Sequence, residues 1–364
     1  MLIILGILFG LLNLIDLEIA GLGEIAFTVI LFYYAYIKKH KKINFTNKKI
    51  LVYIVLFIIY IMFYFLLSRV SKILVLKNLM KWIIIFVQIL CIYNCLVKNE
   101  KTTLDFMLPY LLISKYIECI NVSREWFLHY FILIFLFILL LRHKNKGKYE
   151  ILLYIVCLFY TFIGKSRIAL VLFATLVGYK LIYSFLKDFS SLNKMKQLKN
   201  IFVVMMAIVW GIIGINYISN KVTTSTESNN ERILLIEIAF EEFKNNMLVG
   251  VGPGNYNNYA QNELGYSLRG KELSTHNIYL EILSEYGLIG ISIFGMMLVQ
   301  LIKQLFNAKN NIYSNFLIVH LIVYYLFSTF AGMNRLIFAI FIASSLYYTE
   351  KDQNLYLENK NEKN

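Results

Sequence analysis

The chain has 364 residues, 59% of them hydrophobic and 16% charged, with a formal net charge of +14. A soluble globular domain carries charge on about a quarter of its residues, so that class is excluded. The apolar runs are long enough to cross about 30 Å of hydrocarbon as helix, and the basic residues sit in short clusters between them, a topology signal rather than a nucleic-acid surface.

In chain order, about twelve hydrophobic segments are predicted: 2–15, 20–37, 50–67, 79–97, 104–119, 126–142, 150–164, 167–186, 200–218, 277–302, 312–330 and 335–349. The expected fold is all-α, a polytopic transmembrane helix bundle. The first segment, "MLIILGILFGLLNLI", lacks a basic start and a small-residue cleavage site, so it reads as a retained span. Pro109 lies inside the fifth segment and predicts a kink there. Cys91, Cys95, Cys119 and Cys157 all lie in or beside apolar segments. No histidine or further cysteine completes a metal site around Cys91 and Cys95.

The lysine-rich connections 38–49, 142–150 and 187–200 fall on one side if there are twelve spans, with both termini on that same side. The positive-inside rule makes that side the cytoplasm. The opposite side then receives the one long polar stretch, 219–276, which holds only five Lys or Arg. Inside it, "SNNERILLIEIAFEEFKNNML" (228–248) reads as an amphipathic helix. Ser228 and Glu231 stand at capping-box spacing, and Ile233, Ile236, Phe240, Phe243 and Met247 form the apolar stripe. Such a helix lies on the membrane surface or against the bundle. Arg232 falls in its first turn, where a cation opposes the helix dipole. It reads either as part of an anion site with the free amides or as a solvated arginine near a headgroup.

The helix gives way to "VGVGPGNYNNY" (249–259), where three glycines and a proline in five positions demand tight turns. No GK[ST] follows, and "GKSR" (164–167) lacks the earlier glycine of a P-loop, so neither is a nucleotide site.

"STHNIYLEILSEYGLIG" (274–290) then opens the tenth segment. Ser274 and Thr275 are candidate caps, and Asn277, Glu281 and Glu285 fall at i, i+4 and i+8 on one stripe. Ionisable residues in a membrane helix are functional candidates by default. The alternatives are an interfacial role for His276 and an intramembrane polar contact for the glutamates. Gly287, Gly290 and Gly295 read as close-contact positions between helices. Arg167 and Arg335 start apolar segments at the outward side, near the side of Arg232 and His276, with Arg69 and Lys72 there too. Snorkelling explains any one of them. Several arginines with one histidine fit an anionic, phosphate-bearing ligand better.

At these motifs the chain resembles the O-antigen ligase and polymerase family of bacterial surface-polysaccharide assembly. The pieces are "SR" opening a helix (166–167), the arginine of "NERILLIEIAFEEF", then "NMLVGVGPGNY" and "THNIYLEILSEYGLIG", in the family's order and covering roughly 160–300. One departure is aliphatic character where the family often has tryptophan a few residues after Arg232. The resemblance implies glycosyl transfer at the outer face of the bacterial cytoplasmic membrane from a saccharide on undecaprenyl diphosphate. His276 would be the base and catalytic with Arg232. Arg167, Arg232 and Arg335 would hold the diphosphate, and Asn277, Glu281, Gly252 and Gly254 would support. The chain is then organised as N-terminal spans (1–218), an extracytoplasmic catalytic loop (219–276), C-terminal spans (277–349) and a cytoplasmic tail (350–364).

The four aspartates, Asp16, Asp105, Asp188 and Asp352, form no D-x-D pair for a metal and nucleotide-sugar. Arginines can neutralise a lipid-diphosphate leaving group instead, so no metal or cofactor is expected. The AT-rich compositional style, the modest loop and the lack of an added acceptor domain favour a repeat-unit polymerase over a ligase that delivers glycan to lipid A core. A flippase is the reading from another class, but it predicts two related halves with polar residues at mid-membrane. Expected partners are the lipid-linked donor and acceptor, membrane lipid, and flippase and chain-length regulator proteins, with no nucleic acid.

Overall fold

The computed structural model describes residues 8–9, 22–33, 35, 48–67, 71–122, 226–266, 273–307, 335–336, 338–347 and 350. The predicted segments 126–142, 150–164, 167–186, 200–218 and 312–330, with Arg69 and Arg167, lie outside these residues. The described elements are all helical, as the apolar periodicity requires: α1 (Leu22–Phe32), α2 (Lys48–Leu67), α3 (Lys72–Val122), α4 (Thr226–Asn245), α5 (Tyr256–Asn262), α6 (Ile278–Asn307) and α7 (Phe338–Tyr347). Among them, Lys49–Leu66, Lys72–Lys98 and Ile278–Lys303 are long and apolar enough to cross a membrane. By contact the chain divides into 1–118 with 232–364, and 119–231. Everything below concerns the first unit except the first residues of α4.

Two predicted segments, 79–97 and 104–119, are one 51-residue helix, α3. The polar stretch between them, "KNEKTT", consists of residues a helix accepts. Neither glycine nor proline interrupts it before Pro109, and α3 is helical on both sides of that proline.

An aromatic cluster holds the spans together. Phe57 of α2 meets Trp82 of α3 at 4.6 Å and Tyr286 of α6 at 5.0 Å between ring centroids, and Phe294 of α6 stacks on Phe338 of α7 at 6.3 Å. Phe27 of α1 stacks on Tyr110 of α3 at 4.0 Å. Offset and edge-on ring pairs add about 0.5–1.5 kcal/mol each beyond area burial. The outer faces stay apolar: Val52, Phe63 and Leu66 of α2 are exposed, as lipid contact demands.

One buried ion pair is found in this bundle among the described residues. Glu24 of α1 and Arg335, both buried, form an ion pair at 3.3 Å. Gln88 of α3 donates to Glu24 Oε1 at 3.0 Å and lies 3.1 Å from Thr28 Oγ1. An unpaired charge at such depth would be costly, and the pair removes that cost only through this hydrogen-bonded geometry.

Candidate active site

The site is built on a broken helix. Gly287 inside α6 has φ 62° and ψ −161°, so the chain leaves helical geometry for one residue and resumes. A regular helix would join the Leu288 amide to the Ser284 carbonyl and the Ile289 amide to the Glu285 carbonyl. Both bonds are replaced by bonds to the segment that follows α4. The Val251 amide donates to the Ser284 carbonyl at 2.9 Å and the Gly252 amide to the Glu285 carbonyl at 3.0 Å. In return the Leu288 and Ile289 amides donate to the carbonyls of Met247 and Leu248 at 2.8 and 3.2 Å. All four groups freed by the break are satisfied, the condition for a broken helix at membrane depth.

The approach is backbone to backbone. A Cβ on Gly287 would sit 2.5 Å from the Leu248 carbonyl oxygen and 2.6 Å from the Gly250 amide nitrogen. One on Gly250 (φ 73°) would meet the carbonyls of Ser284 and Glu285. Two tyrosines of α2 close the joint. Tyr60 Oη lies 2.9 Å from the Tyr286 carbonyl and 3.2 Å from that of Val249, and Tyr64 Oη donates to the Gly250 carbonyl at 3.2 Å. The glycine of "EYGLIG" expected only to ease helix contact is therefore a chain break. Gly295, read the same way, has open space around it.

Glu285 anchors the turn a second time, its Oε2 accepting from the Gly254 amide at 2.8 Å. The two supporting glycines thus act through their amides, Gly252 on the Glu285 backbone and Gly254 on its carboxylate. Glu281 faces a small cavity of about 30 Å³ shared with Asn78, Lys81 and Tyr286. Lys81 was missed in the sequence, as was Glu24. The signal for both was an ionisable residue inside an apolar run.

Asn277, not Ser274 or Thr275, caps α6: its Oδ1 accepts from the amides of Tyr279 and Leu280 at 2.9 and 3.2 Å. Thr275 braces it, with Oγ1 donating to the Asn277 carbonyl at 2.9 Å. Asn277 therefore positions its neighbour through the backbone. That neighbour, His276, is exposed and has φ 49°, the left-handed region that non-glycine residues rarely occupy. Such a conformation costs on the order of 1–3 kcal/mol and collects at functional sites.

α4 begins at Thr226, so Ser228 lies inside it and Arg232 falls in the second turn, beyond the free amides of the first. Its buried face also differs from the predicted stripe. Leu235, Ile238, Ala239 and Glu242 face inward, while Ile233, Ile236, Phe240 and Met247 are exposed. The periodicity is helical for both sets, and the difference is that a membrane-bound helix can leave an apolar face outside. The inward face packs on Tyr256 and Ala260 of α5 and on Leu273, and Tyr256 Oη donates to the Leu235 carbonyl at 2.9 Å. Glu242 is fully buried, and neither carboxylate oxygen has a hydrogen-bond partner among the described residues. Burial pushes its pKa up to about 9, with the Glu285 carboxylate adding to the effect.

Arg232 is exposed on α4. Arg335, expected to serve a ligand at the outward end of its segment, is instead buried against Glu24. Among the described residues no cluster of three acidic, histidine or cysteine side chains could hold a metal ion.

Residues 111–295, just over half of the chain, match the family described as O-antigen ligase. The chain belongs to the O-antigen ligase family. The match spans α4, the glycine turn, α5 and the α6 break, so the joint described above lies inside the shared region. No curated protein matches the chain. Family membership makes this a membrane protein of the glycosyltransferase-like ligase and polymerase type, acting on lipid-linked oligosaccharide.

Proposed function

We propose that this protein is a repeat-unit polymerase. It transfers a glycan from undecaprenyl diphosphate to a hydroxyl of an acceptor lipid-linked repeat unit, at the outer face of the cytoplasmic membrane and without a metal ion. The observation that supports this most is His276, exposed and held in a left-handed conformation by the Thr275–Asn277 cap at the head of a broken helix. Discontinuous membrane helices recur where polar substrates are handled at a membrane.

In this scheme His276 accepts the proton of the acceptor hydroxyl, and that oxygen attacks the anomeric carbon of the donor. The new glycosidic C–O bond forms as the bond to diphosphate breaks, and the diphosphate leaves with the electron pair. Arg232 and Arg167 neutralise it. A histidine with an ordinary pKa near 6.5 suits a base at neutral pH. Asn277 positions His276, and Glu281 supports the site from the head of α6. Arg335, the third arginine of the scheme, is buried against Glu24, so reaching the diphosphate would require it to give up that ion pair. Flippase and chain-length regulator proteins are the partners this role implies.

The test is purified protein incubated with lipid-linked repeat units. A ladder of products is expected, and His276→Ala and Arg232→Ala should each lower the rate about 10²–10⁴-fold with protein level unchanged. Transfer only to an added non-repeat acceptor would make the protein a ligase. Full activity in both variants would sink the mechanism.

A further inference from the structure

α3 and the first turns of α6 face each other across the small cavity of about 30 Å³. On α3, Asn78, Lys81 and Ile85 stand at i, i+3 and i+7; on α6, Ile278, Glu281 and Ile282 stand at i, i+3 and i+4. The scheme above gives Lys81 no role.

Lys81 is half-buried in a helix long and apolar enough to cross a membrane. A cation there needs an opposite charge, because hydrocarbon cannot solvate it. Glu281 and Glu285 attract it, while Lys77 and Arg335 repel it. Yet Lys81 makes no hydrogen bond or ion pair among the described residues. Glu281 Oε2 is also buried without a hydrogen-bond partner among them. Two opposite charges thus face one cavity without touching.

Size decides what fits between them. One water needs roughly 10–15 Å³, whereas small-molecule sites start at roughly 300 Å³. At about 30 Å³ the cavity takes a water or a pair of waters and excludes a phosphate. The two carboxylates also repel an anion. A water has the Lys81 ammonium to donate to it, the Glu281 carboxylate to accept from it and the Asn78 amide beside it, the several polar partners that a buried water requires.

From Glu281 the connection to His276 runs through the backbone. The Glu281 amide donates to the Asn277 carbonyl at 3.0 Å, closing the first turn of α6, and Thr275 Oγ1 donates to the same carbonyl at 2.9 Å. His276 lies between Thr275 and Asn277 with φ 49°. The same polar contact reaches the glycine turn. Glu285 holds the Gly254 amide at 2.8 Å, and a Cβ on Gly254 would collide with the Asn78 side chain. A shift of Glu281 therefore moves the cap beneath His276.

We propose that Lys81 is a positioning residue for glycan transfer: through a water it holds Glu281, and through Glu281 the turn that carries His276. The role of His276 rests on the function proposed above; the link between Lys81 and Glu281 rests on the cavity alone.

The test compares the full chain in lipid nanodiscs with Lys81→Met, Glu281→Gln, the double variant Lys81→Met/Glu281→Gln and Lys81→Arg. Thermal melting is measured for each, and glycan transfer from the lipid-linked repeat unit to whichever acceptor the parent uses. Lys81→Met should melt several degrees lower, because it leaves Glu281 without a counter-charge, and the double variant should recover most of that loss. Lys81→Met should also lower kcat about 10–100-fold with donor KM unchanged, the scale of a small misplacement of a reacting group. The double variant should be no slower than Glu281→Gln, since the two residues act as one unit. Lys81→Arg is long enough to reach Glu281 directly and should keep parental melting and most of the parental kcat.

Additive losses in melting or in kcat overturn the proposal, as does an unchanged kcat in Lys81→Met. A rise in donor KM at unchanged kcat overturns it too, because Lys81 would then bind the diphosphate itself. If Lys81→Met does not extract intact, a double variant that extracts no better has the same consequence. A parent that transfers only to an added acceptor removes the polymerase reading and leaves every one of these comparisons in place.

Discussion

α3 and α6 are both long and apolar enough to cross a membrane, yet they respond oppositely to a helix-breaking residue. α3 contains Pro109 and stays helical through it, while α6 has no proline and breaks at Gly287. Proline removes one backbone donor and leaves one carbonyl short of a partner. The Gly287 break frees two amides and two carbonyls, which hydrocarbon cannot satisfy. A break of that size persists only where another segment brings matching groups, and residues 247–252 bring all four. The difference lies in the neighbours rather than in the breaking residue, and it puts the unusual backbone beside the family's shared loop.

The largest effect should come from closing that joint sterically. Gly287→Ala places a Cβ at 2.5 Å from the Leu248 carbonyl in a left-handed conformation, so the loop must undock. Little protein should then extract as a monodisperse species and glycan transfer should be lost; normal yield with normal activity would show that the docked turn is dispensable.

A smaller effect concerns the buried acid on the face of α4 near the joint. Glu242 keeps its proton up to about pH 9 when folded and loses it near its ordinary value when unfolded. Between those values the folded state binds the extra proton, so the stability this group contributes is full below pH 4.5 and falls as pH rises towards 9. Glu242→Gln should therefore flatten the melting temperature between pH 5 and 8.5 and raise it by a few degrees, about 2–5 °C, at the alkaline end. A parent whose melting temperature is level over that range would contradict the burial of an unpartnered carboxyl.

The smallest effect is the control on α6 itself. Gly295 has nothing within 4 Å of a Cβ, so Gly295→Ala should be neutral or stabilising by up to about 1 kcal/mol through helix propensity. Comparison with Gly287→Ala by thermal melting separates a glycine that holds a break from one that merely lies in a helix.

Much of this arrangement was legible in the residues. Hydrophobic run length made the chain a membrane helix bundle, and the order of Arg232, the glycine turn and His276 carried the family. The helix expected over 228–248 is α4, Thr226–Asn245, while the turn expected over 249–259 ends where α5 begins at Tyr256. Other features depended on partners distant in the chain. The inward face of α4 is set by α5 and Leu273, so the stripe chosen from periodicity was the exposed one. Arg335 looked available until Glu24, 311 positions away, met it.

The sequence alone determined that apolar helices dominate and that one polar loop carries the candidate chemistry, because segment hydropathy and local motifs need no knowledge of neighbours. Only the tertiary structure decided that Gly287 breaks α6, that Asn277 is the cap beneath His276, and that Glu285 pins Gly254. Those outcomes depend on which backbone groups find partners across the fold, and a membrane interior makes that pairing obligatory.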